Sequence, residues 1–110
     1  MSKENRSAEL NPRKLRALRV TRVQTGVRIE GKMLKVLKAL AEYLDLSLGD
    51  LLEGIVLHAF EGKSAFNEKT LEKIVALKKI YDMDYGAEAS HQLIEDKLIE
   101  DTLVEDKQQE

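Results

Sequence analysis

The stretch Gln24-Thr25-Gly26-Val27-Arg28-Ile29 decides the fold that the sequence predicts. Thr, Val and Ile occupy every second position of it, the period that places alternate side chains on opposite faces of a β-strand. We expect a strand over residues 21–29, ending before Gly31. No second strand pattern follows, so the N–H and C=O groups of this strand need a partner outside the chain.

A second copy of the chain is the simplest partner for this strand, because symmetric two-fold dimers are the commonest oligomers. An antiparallel ribbon of two strands would present Gln24, Gly26 and Arg28 of both copies on one face. Such a ribbon fits the major groove of DNA, where an Arg fork pairs with guanine and a Gln amide pairs with adenine. The stretch therefore predicts a surface that reads DNA.

Composition limits the classes of protein that the chain can represent. It has 110 residues, 43% hydrophobic and 35% charged, which suits one small domain. No run approaches the roughly 18 apolar residues of a membrane span, and the polar N-terminus does not have the pattern of a secretory signal. The absence of cysteine excludes disulfides and thiolate chemistry. A cytoplasmic location is expected.

The charge is divided unevenly along the chain. Residues 1–32 hold nine Lys and Arg against three Glu, a net +6, and the remainder carries a net -8. A basic front end on an acidic body favours an anionic partner bound at one end. A solvated basic tail is the alternative.

Periodic apolar residues predict four helices after the strand. Ser47 and Asn67 have the side chains of N-caps for the second and third, Asp50 stands at the capping-box position, and Gly62 supplies a stop. Asp84 is the expected cap of the fourth. The predicted helices cover Lys32–Leu44, Leu48–Glu61, Glu68–Tyr81 and Tyr85–Leu98.

The predicted organisation is a mainly α protein with four segments. Residues 1–20 form a flexible basic arm, 21–62 the strand and two helices that dimerise and bind DNA, and 63–98 a helical extension. Residues 99–110 form a frayed helix end or an acidic tail that associates weakly with the arm. Gly54, inside the second helix, indicates either a close approach between two copies of that helix or an unoptimised surface position.

The order of these elements resembles the ribbon-helix-helix family. Val27-Arg28-Ile29, then Met33 to Leu44 ending Leu-Ala-Glu-Tyr-Leu, then Leu46-Ser47-Leu48-Gly49-Asp50-Leu51-Leu52 match its strand, helix, capped turn and second helix without a gap over residues 22–61. The resemblance implies an intertwined homodimer whose ribbon enters the DNA major groove. One short strand would pair antiparallel across the dimer, and the C-terminal helices would be an addition to the family's core.

The resemblance also implies roles for individual residues. Gln24, Gly26 and Arg28 would contact bases, while Ser47 with the Leu48 and Gly49 amides would clamp a phosphate. A helix N-terminus offers free N–H groups and a positive dipole end to an anion. We expect Arg19 and Arg22 to bind further phosphates.

Three positions depart from the family's pattern. Gly26 has no side chain for a base contact, so Gln24 and Arg28 would make the contacts with bases. Glu30 follows the strand where proline is usual and would repel phosphates. The second helix begins Leu48-Gly49-Asp50, without the basic residues that are frequent there.

No motif indicates an enzyme or a cofactor. His58 and His91 are the only histidines, and neither has a partner at metal-ligand spacing. Gly31-Lys32 is not a phosphate-binding loop, and Ser90-His91 lacks the context of a nucleophile. Packing at a surface or an interface is the expected role of both histidines.

Two hypotheses of function follow. The first is a dimeric, sequence-specific DNA-binding protein of the bacterial transcription-regulator type. The second is an interaction module of the same fold, for example antitoxin-like, in which residues 63–98 bind a protein and DNA contact is weak or absent.

Overall fold

The computed structural model describes residues 17–96 and shows a mainly helical chain. Three α-helices follow one another: α1 over Gly31–Leu44, α2 over Leu48–Phe60 and α3 over Glu68–Ile80. A single 3₁₀ turn, Ala87–Ala89, comes after them. The first three predicted helices are confirmed to within one residue at each end.

Each helix begins at a side-chain cap. The Glu30 carboxylate accepts hydrogen bonds from the amides of Lys32 and Met33 at the start of α1. Ser47 Oγ accepts from the Asp50 amide at 3.1 Å, and Asn67 Oδ1 accepts from the Thr70 amide at 2.8 Å. These bonds satisfy amides that a helix leaves without an internal partner, which fixes where each helix starts.

Residues in the left-handed backbone conformation follow the ends of α1 and α2. Asp45, with φ 61°, ends α1, and the Leu46 amide then donates to the Ala41 carbonyl at 2.9 Å. Gly62, with φ 70°, follows α2, and the amide of Lys63 donates to the His58 carbonyl at 2.9 Å. A glycine tolerates this φ at no steric cost, so the predicted stop at Gly62 is confirmed.

The core is small and centred on α1. Leu40 and Ala41 of α1 and Leu51 of α2 are buried together, and α1 packs against both α2 and α3. Half-buried residues from all three helices and the α2–α3 loop surround them: Leu37, Leu44, Ile55, Phe66, Ile74 and Leu77. The helix that was expected only to extend the fold, α3, therefore completes its core.

The predicted fourth helix, Tyr85–Leu98, is wrong as far as Asp96. The chain there forms only the 3₁₀ turn and an irregular segment, in which His91 adopts φ 64°. Two other bonds are made there: the Glu88 carboxylate accepts from the nearby Gly86 amide at 2.9 Å, and the Tyr85 hydroxyl donates to the distant Glu30. Such side-chain bonds compete with helix formation where apolar periodicity is weak.

Residues 17–30 form no helix, turn or hydrogen-bonded strand in the single chain. Ala17 to Arg28 are exposed throughout, and Ile29 and Glu30 are half-buried at the entry to α1. The described residues thus contain no strand. Residues 1–16 of the expected arm, and all of the expected tail at 99–110, lie outside the described part.

Candidate nucleic-acid interface

The candidate reading residues lie on the exposed segment that precedes α1. Gln24, Gly26 and Arg28 are all exposed. A Cβ added at Gly26 would meet no atom within 4 Å, so nothing in the single chain requires glycine there. The valines of the same segment are also uncovered: Val23 is 80% exposed and Val27 is 74% exposed.

Arg28 is held by a carboxylate from the far end of the described chain. Its Nε donates to Glu95 Oε1 at 3.1 Å, and its Nη2 donates to Glu95 Oε2. This is the two-bond geometry in which a guanidinium also binds the edge of guanine. Residues 93–95 and 27–31 line one groove together with Leu34 of α1.

Arg22 is held by α2 of its own chain. Its Nε and Nη2 each donate to a Glu53 carboxylate oxygen at 2.8 Å, and Asp50 Oδ1 lies 3.6 Å from Nη2. The hydrogen bond and the charge of Glu53 raise the pKa of Arg22, and the hydrogen bond from Arg22 lowers the pKa of Glu53. Arg22, which was expected to bind a phosphate, is therefore paired with carboxylates of α2 in the single chain.

The N-terminus of α2 has some, but not all, of the features expected of an anion site. Ser47 caps the helix, but its Oγ already accepts from Asp50. Gly49 is exposed, with no atom within 4 Å of an added Cβ, whereas Leu48 is half-buried. Arg19 is exposed on the segment before α1. Asp50, in the first turn, adds a negative charge that opposes phosphate binding.

Glu30 links the candidate reading segment to the C-terminal region. Besides capping α1, its Oε1 accepts from the Tyr85 hydroxyl at 2.5 Å. The bond from Tyr85, together with the two amides, lowers the pKa of Glu30, and burial together with the Glu30 carboxylate raises the pKa of Tyr85 to about 12. The Glu30 carboxylate thus accepts from three donors, the two amides of α1 and the Tyr85 hydroxyl.

Sequence reasoning did not find the roles of Glu53, Tyr85 and Glu95. The pairs they form span 31, 55 and 67 residues, beyond the reach of any local pattern. One signal was present: the repeated Glu-Asp pairs near the C-terminus predicted an association with basic residues. That expectation concerned residues 99–110 and the arm, whereas the described contact joins Glu95 to Arg28.

The two histidines lie apart in the fold. His58 Nδ1 is 2.7 Å from the Gly54 carbonyl one turn earlier in α2, and His91 lies in the turn after the 3₁₀ helix. Within residues 17–96 no group of three His, Asp or Glu side chains could hold a metal ion. None of the described helices is long and apolar enough to cross a membrane.

Comparisons of the chain with protein-family models, with curated proteins and with solved structures found no match.

Proposed function

We propose that the protein is a ribbon-helix-helix homodimer that binds DNA sequence-specifically and regulates transcription. The observation that carries the proposal is the apolar surface left uncovered both on the segment before α1 and on the second helix. Val23 and Val27 are exposed on the segment, while Leu57 and Phe60 of α2 are 63% and 81% exposed. A monomer leaves these side chains in water, which costs free energy that a dimer interface recovers.

Pairing of residues 21–29 between two copies would satisfy the backbone groups of the segment at the same time. The antiparallel ribbon so formed would place two copies each of Gln24, Gly26 and Arg28 on its outer face. Arg28 and Gln24 then contact base edges, and Arg19 and Arg22 contact phosphates. The amides of Leu48 and Gly49, with Ser47, bind a further phosphate at the start of α2.

The test is selection of a binding sequence from random DNA, followed by titration of variants on the selected and on a scrambled duplex. Arg28→Ala should reduce discrimination between the two duplexes by about 1–3 kcal/mol, because a bidentate contact to one base is lost. Arg28→Lys is the matched control, since it keeps the charge but loses the fork. An equal loss by Arg28→Ala on both duplexes would contradict base reading by Arg28.

The ion pairs of the single chain favour a second candidate function. Arg22 and Arg28 are both held by carboxylates of their own chain, and Asp50 stands beside the proposed phosphate site. The same dimer could then serve as a protein-interaction module, with residues 63–98 contacting the partner. Absence of any mobility shift on random DNA at low salt would favour this candidate.

A further inference from the structure

The C-terminal segment of the described chain contacts the candidate reading residue itself. Glu95 accepts two hydrogen bonds from Arg28, through Nε and Nη2. These are the donors that would face O6 and N7 of a guanine. The Nε and Nη2 edge of a guanidinium that is held in this way can bind a base only after the carboxylate leaves.

The ion pair between Arg28 and Glu95 is weakly held. Residues 92–96 form no helix, and Leu93 and Ile94 remain 49% and 92% exposed, so few apolar contacts hold the segment in place. The side chains of the pair are themselves 73% and 38% exposed. Because exposed ion pairs contribute little free energy, a better ligand can displace Glu95.

The position of the preceding residues keeps Glu95 close to Arg28, although the ion pair itself is weak. Leu93 lies beside the start of α1 and lines the groove that also contains Arg28, which keeps Glu95 near its partner at a high effective concentration. The negative charge of Glu95 beside Arg28 also repels the phosphates that would approach the same face.

We propose that the segment formed by residues 92–96 is an internal competitor of DNA, in which Glu95 occupies the Nε and Nη2 donors of Arg28 until a cognate sequence displaces it. This inference rests on the proposed function. The segment should weaken binding to all DNA, and a site with a guanine opposite Arg28 should overcome the competition best. The device would therefore suppress binding to non-specific DNA.

The test uses the full chain and a double-mutant cycle. Glu95→Gln should tighten binding to the selected duplex about two- to fivefold, the range expected for removing one exposed ion pair. Glu72→Gln, which removes a charge from an exposed position of α3, is the matched control and should change affinity less. In an Arg28→Ala background, Glu95→Gln should have no further effect, because the masked group is absent.

A measurement without DNA tests the contact directly. The Nε–Hε resonance of Arg28 in a ¹H–¹⁵N spectrum should shift on Glu95→Gln and stay unchanged on Glu72→Gln. Equal affinities of wild type and Glu95→Gln, or an effect of Glu95→Gln that persists in Arg28→Ala, would overturn the competition. If neither protein binds any DNA at low salt, the proposed function fails and the competition fails with it; a shifted Arg28 resonance would then mark a purely structural ion pair.

Discussion

Glu30 shows how one carboxylate can serve three donors. It caps α1 through two amides and also accepts from Tyr85. From the sequence alone, Glu30 suggests only an unfavourable charge at a position where proline is usual. The capping role was missed because a glutamate rarely caps a helix, and the Tyr85 contact because it closes a loop of 55 residues.

The Glu30–Tyr85 bond predicts a dependence of stability on pH. The lowered pKa of Glu30 means that its contribution is present above its ordinary value near 4.5 and is lost as pH falls through the folded value. The raised pKa of Tyr85 means that its contribution is present below pH 10 and is lost as pH rises through about 12.

Tyr85→Phe should therefore lower the free energy of unfolding by about 1 kcal/mol at pH 7, the typical value of one hydrogen bond. The difference from wild type should be smaller at an acid pH well below 4.5, because protonation of Glu30 weakens this bond. Urea titrations followed by circular dichroism at both pH values measure it. Tyr43→Phe, which removes an exposed hydroxyl, should show no such dependence; an equal loss at both pH values would contradict the assignment.

At the scale of elements, prediction succeeded where the sequence carries its own signals. Ser47, Asn67 and Gly62 mark ends of α2 and α3 through local bonds and backbone angles, so these two helices could be placed closely, while α1 was placed by its apolar periodicity. The fourth helix failed because Asp84 resembles a cap but no continuous apolar stripe follows it. The extended pairing of residues 21–29 stays a prediction, since it requires a second chain.

Gly54 permits a test of α2 alone. A Cβ added there would meet no atom within 4 Å of the single chain, and alanine is a better helix former by about 1 kcal/mol. Gly54→Ala should accordingly raise the free energy of unfolding by up to that amount, as measured by urea denaturation. If sedimentation instead shows weaker self-association, the interpretation of Gly54 as a crossing point of two α2 helices is supported.

At the scale of the whole molecule, the proposal depends on which exposed apolar face is covered. Phe60 and Ile80 are the last residues of α2 and α3, and they are 81% and 67% exposed. We expect the proposed dimer to bury α2 but not the end of α3. Substitution of Ile80 is therefore a matched control for substitution of Phe60.

Phe60→Ser should weaken dimerisation at least tenfold, because a buried aromatic side chain contributes several kcal/mol to an interface. Ile80→Ser should leave self-association unchanged. Analytical ultracentrifugation from micromolar concentration downward measures both. Equal effects of the two variants, or a wild-type chain that is monomeric at micromolar concentration, would contradict the proposed ribbon.

The packing of α3 on α1 has a consequence for any attempt to divide the chain. Ile74 and Leu77 of α3 lie against the buried cluster that contains Leu40, which is only 2% exposed. A fragment cut at Gly62 would lay that surface bare, and its hydrophobic patch would promote aggregation. We therefore expect residues 21–62 alone to be less stable than the full chain.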